Sequence, residues 1–459
     1  ENYVSVEHLK RYTTLGMGID QGKTSNVNGL GILASVTGRS IDSVGTTTFR
    51  PMYIPVSMQA IAGRRQRELY RPRRYMPAHE IHRAADAVFN DFGWDRPDWY
   101  RINGRDRESA VAVEMAAVRH AAGVFDASPL GKIEVTGPDA GAFLNRFYVS
   151  NLSTLKPGRV RYSVMLRDDG VVFDDGVVTC VADNHYIASP TSGQAEAVVA
   201  WFERWRQIEW PWMRVAISPV TSSWAAIAIA GPSARELLAR LEPDIDVSAE
   251  AFRHMHFREG HVADVPARVA RVSFTGEVQF EIAVPARWGE SLLKRVIDWG
   301  TDLGVRHVGM EAWLRLRLEK GYIHLGADTN GRTTPDDIGM GSIARKKRSD
   351  FIGKRSLSLA FNRSPHRETL VGLRALDGAL EVGGRVLSPG SRSIPCGSTG
   401  YVTSACYSPS LRQSIALALV EGGDARNEET VRVYCSGKIV SAQICAPCFY
   451  DPENQRLNA

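Results

Sequence analysis

No apolar run in this sequence is long enough to cross a bilayer, so no membrane-spanning segment is expected. The first residues, Glu1-Asn2-Tyr3-Val4, have neither the basic region nor the apolar core of a signal peptide, and export is not expected. Cysteine is scarce: Cys180, Cys396, Cys406, Cys435, Cys445 and Cys448 are scattered through 459 residues, too thinly for a disulfide framework. A reducing cytoplasm is the simplest setting for such a chain. Charge of one sign is not in bulk either, since 56 basic and 51 acidic residues leave a net +5. That balance does not argue for nucleic acid, although a local basic patch can still receive an anion. Nowhere does a strand-like run lead into Gly-x-Gly-x-x-Gly, so the dinucleotide-binding fingerprint is missing as well.

Several short motifs fail on spacing. Cys445-Ala446-Pro447-Cys448 has redox-motif spacing but no βαβ context and no second pair. His79-Glu80-Ile81-His82 is one residue short of the helical zinc-protease motif. For His254, His256 and His261 a solvated or packed role outweighs a metal site, and no metal is expected. Gly22-Lys23-Thr24 invites a phosphate-loop reading, but Gly16 is one residue too far from Gly22 and Gly18 one too near. Two readings of Lys23, Thr24 and Ser25 stay open: a cradle for one phosphate, such as that of a flavin mononucleotide, or a plain interface loop.

What is present at 459 residues suits two or three domains. Residues 1–85 read as an arm: a helical stretch Ser5 to Tyr12, the glycine-rich loop, a helix near Gly29 to Val36, then extended Thr46 to Pro51 and the basic stretch Arg64 to Arg74. Such an arm is expected to pack on something larger. Residues 86–360 read as α+β. A helix over 105 to 122 stops at Gly123; strands follow at Lys132 to Val135, Val160 to Leu166, Val171 to Cys180 and His185 to Ser189, with Arg167-Asp168-Asp169-Gly170 as a hairpin turn. Residues 361–459 are short, β-rich and punctuated by Gly and Pro, which predicts a small antiparallel barrel.

The middle region repeats itself. Gly137-Pro138 through Arg146-Phe147 matches Gly231-Pro232 through Arg240-Leu241 in its Gly-Pro, Ala, Leu and Arg positions, each copy following a strand and opening a helix with Pro in its first turn. Two related half-domains with a cleft between them are therefore expected.

Two carboxylate clusters carry candidate chemistry. Asp174-Asp175 interrupts an apolar strand, where neighbouring side chains face opposite ways, so one acid enters the cleft while the other is satisfied elsewhere; a bulge whose acids cap amides is the competing reading. Thr275-Gly276-Glu277 is a turn signal with Glu281 on the following strand. A buried Glu can accept two parallel hydrogen bonds from an amidine-like edge such as that of a pterin, whereas an exposed strand Glu would carry no function.

Gly123 to Ser128, the Asp174-Asp175 strand, Thr275 to Glu281, Arg317 to Tyr322, Asp350 to Lys354 and Thr403-Ser404 through Leu411 occur in an order that resembles the glycine-cleavage aminomethyltransferase superfamily, over residues 85 to 455. Ser5 to Met17 and Asp20 to Asn26 resemble the stretch that joins the two halves of sarcosine oxidase alpha subunits. The resemblance implies a tetrahydrofolate site with Asp175 beside the reactive folate nitrogens, Glu281 gripping the pterin, and Leu130, Tyr162 and Phe274 along the ring. Phe274 stands where relatives often carry Tyr. It further implies a beta-like flavoprotein partner carrying FAD, FMN or both, further small subunits, and a small N-methyl amine as substrate. A stand-alone aminomethyltransferase and a non-catalytic scaffold subunit are the competing functions.

Overall fold

The computed structural model describes residues 2 to 51, 54 to 66, 73 to 91, 93 to 390 and 397 to 459. It divides into two compact units, Glu1–Arg73 and Arg74–Ala459.

The first unit carries helices α1 (Val6–Tyr12), α2 (Ser25–Thr37) and α3 (Met58–Ala62). Its core is small: Val6, Leu33, Ala34 and Val44 are its buried apolar side chains. A following strap is held to α1 by polar contacts, with the Thr48 amide donating to Glu7 Oε2 at 3.1 Å and Arg50 Nη2 to the Lys10 carbonyl at 2.8 Å. Val27, Ile32 and Val36 of α2 remain exposed. Part of the basic stretch Arg64 to Arg74, residues 67 to 72, lies outside the described residues.

Residues 74 to 85, assigned to the arm from sequence, fold with the second unit. Ala78, just before α4 (His79–Ala84), is buried in that unit's main core. A two-stranded ribbon of β1 (Ala87–Asp91) and β2 (Asp95–Tyr100) leads to α5 (Arg107–His120). Asp106 caps α5 by accepting from the Ser109 amide at 2.8 Å. The helix ends at Ala121 rather than at Gly123, which opens β3 (Gly123–Asp126). Glycine is required there by packing: a Cβ would stand 2.4 Å from Val118 Cγ2 and 2.6 Å from Val308 Cγ2.

The repeat is visible in the topology. The first copy runs β4 (Ile133–Thr136), α6 (Ala140–Asn145), β5 (Arg159–Leu166), β6 (Val172–Ala182), β7 (His185–Pro190) and α7 (Ala195–Arg204). After a linking strand β8 (Ala216–Pro219), the second runs β9 (Trp224–Ala230), α8 (Ala234–Arg240), β10 (His256–Val262), β11 (Val265–Arg271), β12 (Gln279–Pro285) and α9 (Gly289–Trp299). With β13 (Arg306–His307), all join an 11-stranded sheet ordered β13-β3-β9-β12-β11-β10-β5-β6-β7-β4-β8. The halves β4-β7-β6-β5 and β10-β11-β12-β9 are mirror-ordered about the β5–β10 seam, the pattern of a pseudo-twofold.

Both repeat glycines do the same steric work. Gly137 and Gly231 have φ of 122° and 132°, and a Cβ would meet the Arg214 carbonyl oxygen at 2.2 Å and the Ala121 carbonyl oxygen at 2.5 Å. Pro138 and Pro232 stand just outside α6 and α8, before the capping residues Asp139 and Ser233, not in the first turns.

α10 (Met310–Lys320) and α11 (Gly341–Lys346) connect the sheet to a closed barrel of β14 (Glu368–Ala375), β15 (Arg385–Leu387), β16 (Ser398–Ser408), β17 (Gln413–Glu421), β18 (Thr430–Cys435) and β19 (Lys438–Cys445), ordered β14-β17-β16-β15-β18-β19. The fold is thus α+β with two related half-domains and an antiparallel barrel. A buried polar lattice locks α10 to both. Arg119 of α5 donates to Glu319 Oε2 at 2.6 Å and to Glu277 Oε1 at 3.0 Å, while Ser408 of the barrel donates to Glu319 Oε1 at 2.5 Å. Arg317 donates to Ser404 Oγ at 2.7 Å and pairs with Asp328, which accepts from Thr403 Oγ1 at 2.6 Å. Each of these charges is buried but paired, which offsets desolvation.

Candidate ligand cavity

A cavity of about 450 Å³ opens where the two half-sheets, α10 and the loop after it converge. It brings together the five residues that the resemblance assigned to a folate site: Asp175, Leu130, Tyr162, Phe274 and Glu281.

Asp174 and Asp175 face opposite ways, as strand geometry requires. Asp174 turns back to accept from Thr191 Oγ1 at 2.6 Å and from the Thr191 amide at 3.3 Å. Burial, with the neighbouring Asp175 charge adding to it, pushes Asp174 up to about 8. Asp175 lines the cavity and accepts from Tyr162 Oη at 2.7 Å. Burial pushes it up to about 6, against that hydrogen bond and the Arg317 charge. A register shift does lie beside the pair, where Met165 stands opposite Asp174 and Leu166 opposite Val172, but only Asp174 of the two acids accepts from a neighbouring amide, that of Thr191.

Glu281 sits in the middle of β12, its backbone between Ala228 and Ala270. Its carboxylate lines the cavity, and among the described residues it accepts no hydrogen bond. Burial pushes it up to about 7, with the Lys132 charge opposing. Lys132, also on the cavity wall, is pulled down to about 8 by burial; its ammonium donates to the carbonyls of Leu130 at 2.9 Å and Ser128 at 3.1 Å. A half-buried acid with unused lone pairs and a weakened lysine beside it is a receptor for hydrogen-bond donors, since a ligand that fills the cavity and displaces water has to match it. Much of the remaining wall is apolar and aromatic, with Phe125 stacked on Trp313 at a ring-centroid distance of 4.4 Å, and Arg96, Ser192, His254 and His324 add polar groups.

The sequence reading missed Arg96, Lys132 and Trp313, all on this cavity. None lies in a motif; Arg96 comes from β2, distant in sequence, and only the fold brings it in.

The glycine-rich loop of the first unit is differently disposed. Lys23 and Thr24 are exposed, and the Thr24 amide and hydroxyl donate to Asp20 Oδ2 at 2.9 and 2.6 Å. A carboxylate thus already takes donors that a phosphate would need. Among the described residues, no three His, Cys, Asp or Glu side chains are grouped to hold a metal ion; His82 instead pairs with Asp126 at 2.9 Å and His261 with Asp244 at 2.8 Å. Cys445 and Cys448 are free thiols, and no helix among the described residues is long and apolar enough to cross a membrane.

A mirror-ordered sheet around an acid-bearing cavity, followed by a closed barrel, defines the aminomethyltransferase class of fold. The structure of the glycine cleavage system aminomethyltransferase T from Bartonella henselae matches with a TM-score of 0.72 and 26% identity, over 83% of this chain and 98% of that one. The chain belongs to the glycine-cleavage aminomethyltransferase family: the GCVT N-terminal domain matches residues 78–348 and the glycine cleavage T-protein C-terminal barrel domain residues 369–451. The sarcosine oxidase A3 domain matches residues 1–64. Among relatives, the sarcosine oxidase subunit alpha of Corynebacterium sp. (strain P-1) is 40% identical over 98% of this chain, and that of Rhizobium meliloti (strain 1021) 39% over 100%. The chain spans 47% of each of those relatives. The aminomethyltransferase of Streptomyces coelicolor is 34% identical over 80% of this chain and 95% of its own length.

Proposed function

We propose that this chain is the folate-binding part of a sarcosine oxidase-like complex, in which a beta-like flavoprotein partner oxidises an N-methyl amine and the cavity described above holds tetrahydrofolate. The observation that carries the reading is the Glu281 carboxylate, half-buried on the cavity wall with no hydrogen bond from the described residues, in the same cavity as Asp175.

Glu281 has the lone pairs to receive the paired N–H donors of a pterin's 2-amino and N3 edge. Leu130 and Phe274 supply apolar contact along the ring, and Phe274 has no hydroxyl to add a hydrogen bond there. Bound tetrahydrofolate supplies the nitrogens that take up the carbon, giving 5,10-methylenetetrahydrofolate while the amine departs with the protons those nitrogens lose. Asp175, held by Tyr162 and pushed up to about 6, is suited to accept and return such a proton near neutrality. Holding the folate in this cavity adds proximity for capture of the electrophilic carbon.

The arm favours the complex over a stand-alone aminomethyltransferase, because residues 1–64 match a sarcosine oxidase domain. Its four-residue core and the exposed Val27, Ile32 and Val36 suit an interface role, and with Asp20 occupying Thr24 we assign Lys23, Thr24 and Ser25 to that interface, not to a flavin phosphate. FAD or FMN then belongs to the partner subunit.

Titrating the chain with tetrahydrofolate tests the reading. Glu281→Ala is expected to weaken binding by about 1.5–3 kcal/mol, the range for a hydrogen bond to a charged group. Amine oxidation by the partner should hardly change. Affinity held within about twofold, under half a kcal/mol, would mean that the pterin edge lies elsewhere.

A further inference from the structure

Arg96 of β2 is 5% exposed, yet no carboxylate among the described residues lies within ion-pair distance of it. Its hydrogen bond to a side chain is from Nη1 to Ser192 Oγ, at 3.3 Å, and its guanidinium lies 5.7 Å from the Phe125 ring centroid. Both Arg96 and Ser192 line the cavity. Of the other buried arginines, Arg119 and Arg317 are matched to Glu277, Glu319 and Asp328, and Arg271, which does not line this cavity, donates to the backbone carbonyls of Phe252 and Ala459. An unmatched guanidinium in an enclosed wall is a receptor for an anion, and its planar fork suits a carboxylate.

Resting on the folate reading above, the geometry points to Arg96 and Ser192 as the subsite for the carboxylate of the one-carbon donor, an N-methylene amino acid. Position selects this source over the glutamate tail of the folate. Pro190 is paired with Gly176, and Thr191, between Pro190 and Ser192, is the residue that holds Asp174. The subsite is therefore two residues beyond the strand position opposite Asp175's neighbour, at the reacting end of the cavity. A folate tail is separated from the reacting nitrogens by a benzoyl group and carries a charge that gains from reaching solvent. The cavity presents two cationic groups, Arg96 and Lys132, and two acids, Asp175 and Glu281. Lys132 is committed to the carbonyls of Ser128 and Leu130 and Glu281 to the pterin in the reading above, which leaves Arg96 and Asp175 for a donor whose carboxylate and iminium carry opposite charges. Burial pulls Arg96 down to about 10 and the Asp126 charge opposes this, so the guanidinium stays cationic near neutrality.

With no flavin or flavoprotein added, N-methylglycine has no oxidant, so that molecule serves as an unreactive mimic of the donor. Calorimetric titration of the full chain should show saturable binding of N-methylglycine, with and without tetrahydrofolate, and none of dimethylamine, which has no carboxylate. Arg96→Gln should weaken N-methylglycine about tenfold or more and Arg96→Lys by about three- to tenfold, whereas tetrahydrofolate and tetrahydropteroate should stay within about twofold of wild type. Should the glutamine variant fail to fold, the lysine variant decides alone, since it keeps the charge and loses the fork. Equal binding of N-methylglycine by wild type and variants, or none by wild type, overturns the subsite. Weakening of tetrahydrofolate with tetrahydropteroate spared overturns it too, because the carboxylate would then be the folate's own. N-methylglycine bound through Arg96 by a chain that takes no tetrahydrofolate would support the subsite and sink only the folate reading.

Discussion

The two half-sheets share a backbone but not a chemistry. Mirror order pairs β6 with β11 and β7 with β12, so Asp175 on β6 and Glu281 on β12 occupy positions that are not copies of one another. The repeat glycines, by contrast, are matched in φ, in the carbonyl each approaches and in the helix each precedes. What recurs is therefore what the backbone requires, and what differs is what the cavity uses. Function sits in groups placed on a frame, and the frame alone does not dictate them.

The largest expected effect comes from breaking the shared frame. Gly137→Ala and Gly231→Ala each put a Cβ against a backbone carbonyl at strained φ, and each should cost more than about 3 kcal/mol in denaturant unfolding. Gly193→Ala is the control: a Cβ there meets nothing within 4 Å. It should change stability by less than about 0.5 kcal/mol. Loss confined to one of the two glycine variants would show that the halves are alike in sequence but not in steric demand.

Asp175→Asn sharpens the contrast at the level of chemistry. In a complex with the flavoprotein partner, flavin reduction by the amine should proceed at a near-normal rate, because that step occurs on another subunit. Capture of the carbon should slow by about 10²–10⁴-fold, the share of general acid–base catalysis. Uncaptured iminium hydrolyses, so the product should switch from methylenetetrahydrofolate to free formaldehyde at constant amine consumption. Equal loss of both activities would mean that Asp175 supports the fold, and an unchanged product ratio that proximity alone drives capture.

Much of this was legible in the sequence because it depends on local rules. Apolar strand-like runs separated by the Arg167-Asp168-Asp169-Gly170 turn marked β5 to β7, the Gly-Pro repeat marked both copies, and the acids inside apolar strands stood out because burial makes them expensive. The ordered motifs were legible too, but their roles divided in a way spacing does not reveal. Glu277, Glu319, Thr403, Ser404 and Ser408 form the lattice between α10, the sheet and the barrel, whereas Asp175 and Glu281 face the cavity. Gly123 was read as a helix stop because glycine commonly is one; its reason here is contact with Val118 and Val308, and Val308 lies far along the chain. Arg96 could not be found from sequence at all, since a lone arginine before proline becomes informative only when its missing carboxylate is seen.

The smallest effect distinguishes the two acids by pH. Both carboxyls are raised by burial, Asp175 from 3.8 to about 6 and Glu281 from 4.5 to about 7. In the free chain each then favours folding fully below its ordinary value, and that contribution is lost as pH rises through the folded value, because the native state holds the proton longer than the unfolded one. The loss attributable to Asp175 is complete near pH 6 and that of Glu281 extends to about 7, so Asp175→Asn and Glu281→Gln should flatten different parts of the stability curve. After discounting for water in the cavity, each difference from wild type should amount to about 1–2 kcal/mol between pH 4 and 8. Measurements stay below pH 8 because Lys132, pulled down to about 8, contributes with the opposite sign above that point. Asp174, pushed up to about 8, is common to both variants and cancels only if neither substitution disturbs its bond to Thr191. Asp175→Asn removes the neighbouring charge that raises Asp174, whereas Glu281→Gln does not, so the Asp174 portion should move toward lower pH in the first variant alone. Superimposable stability curves for the two variants would show that the halves do not differ electrostatically, and the separate roles given to the acids would lose their physical basis.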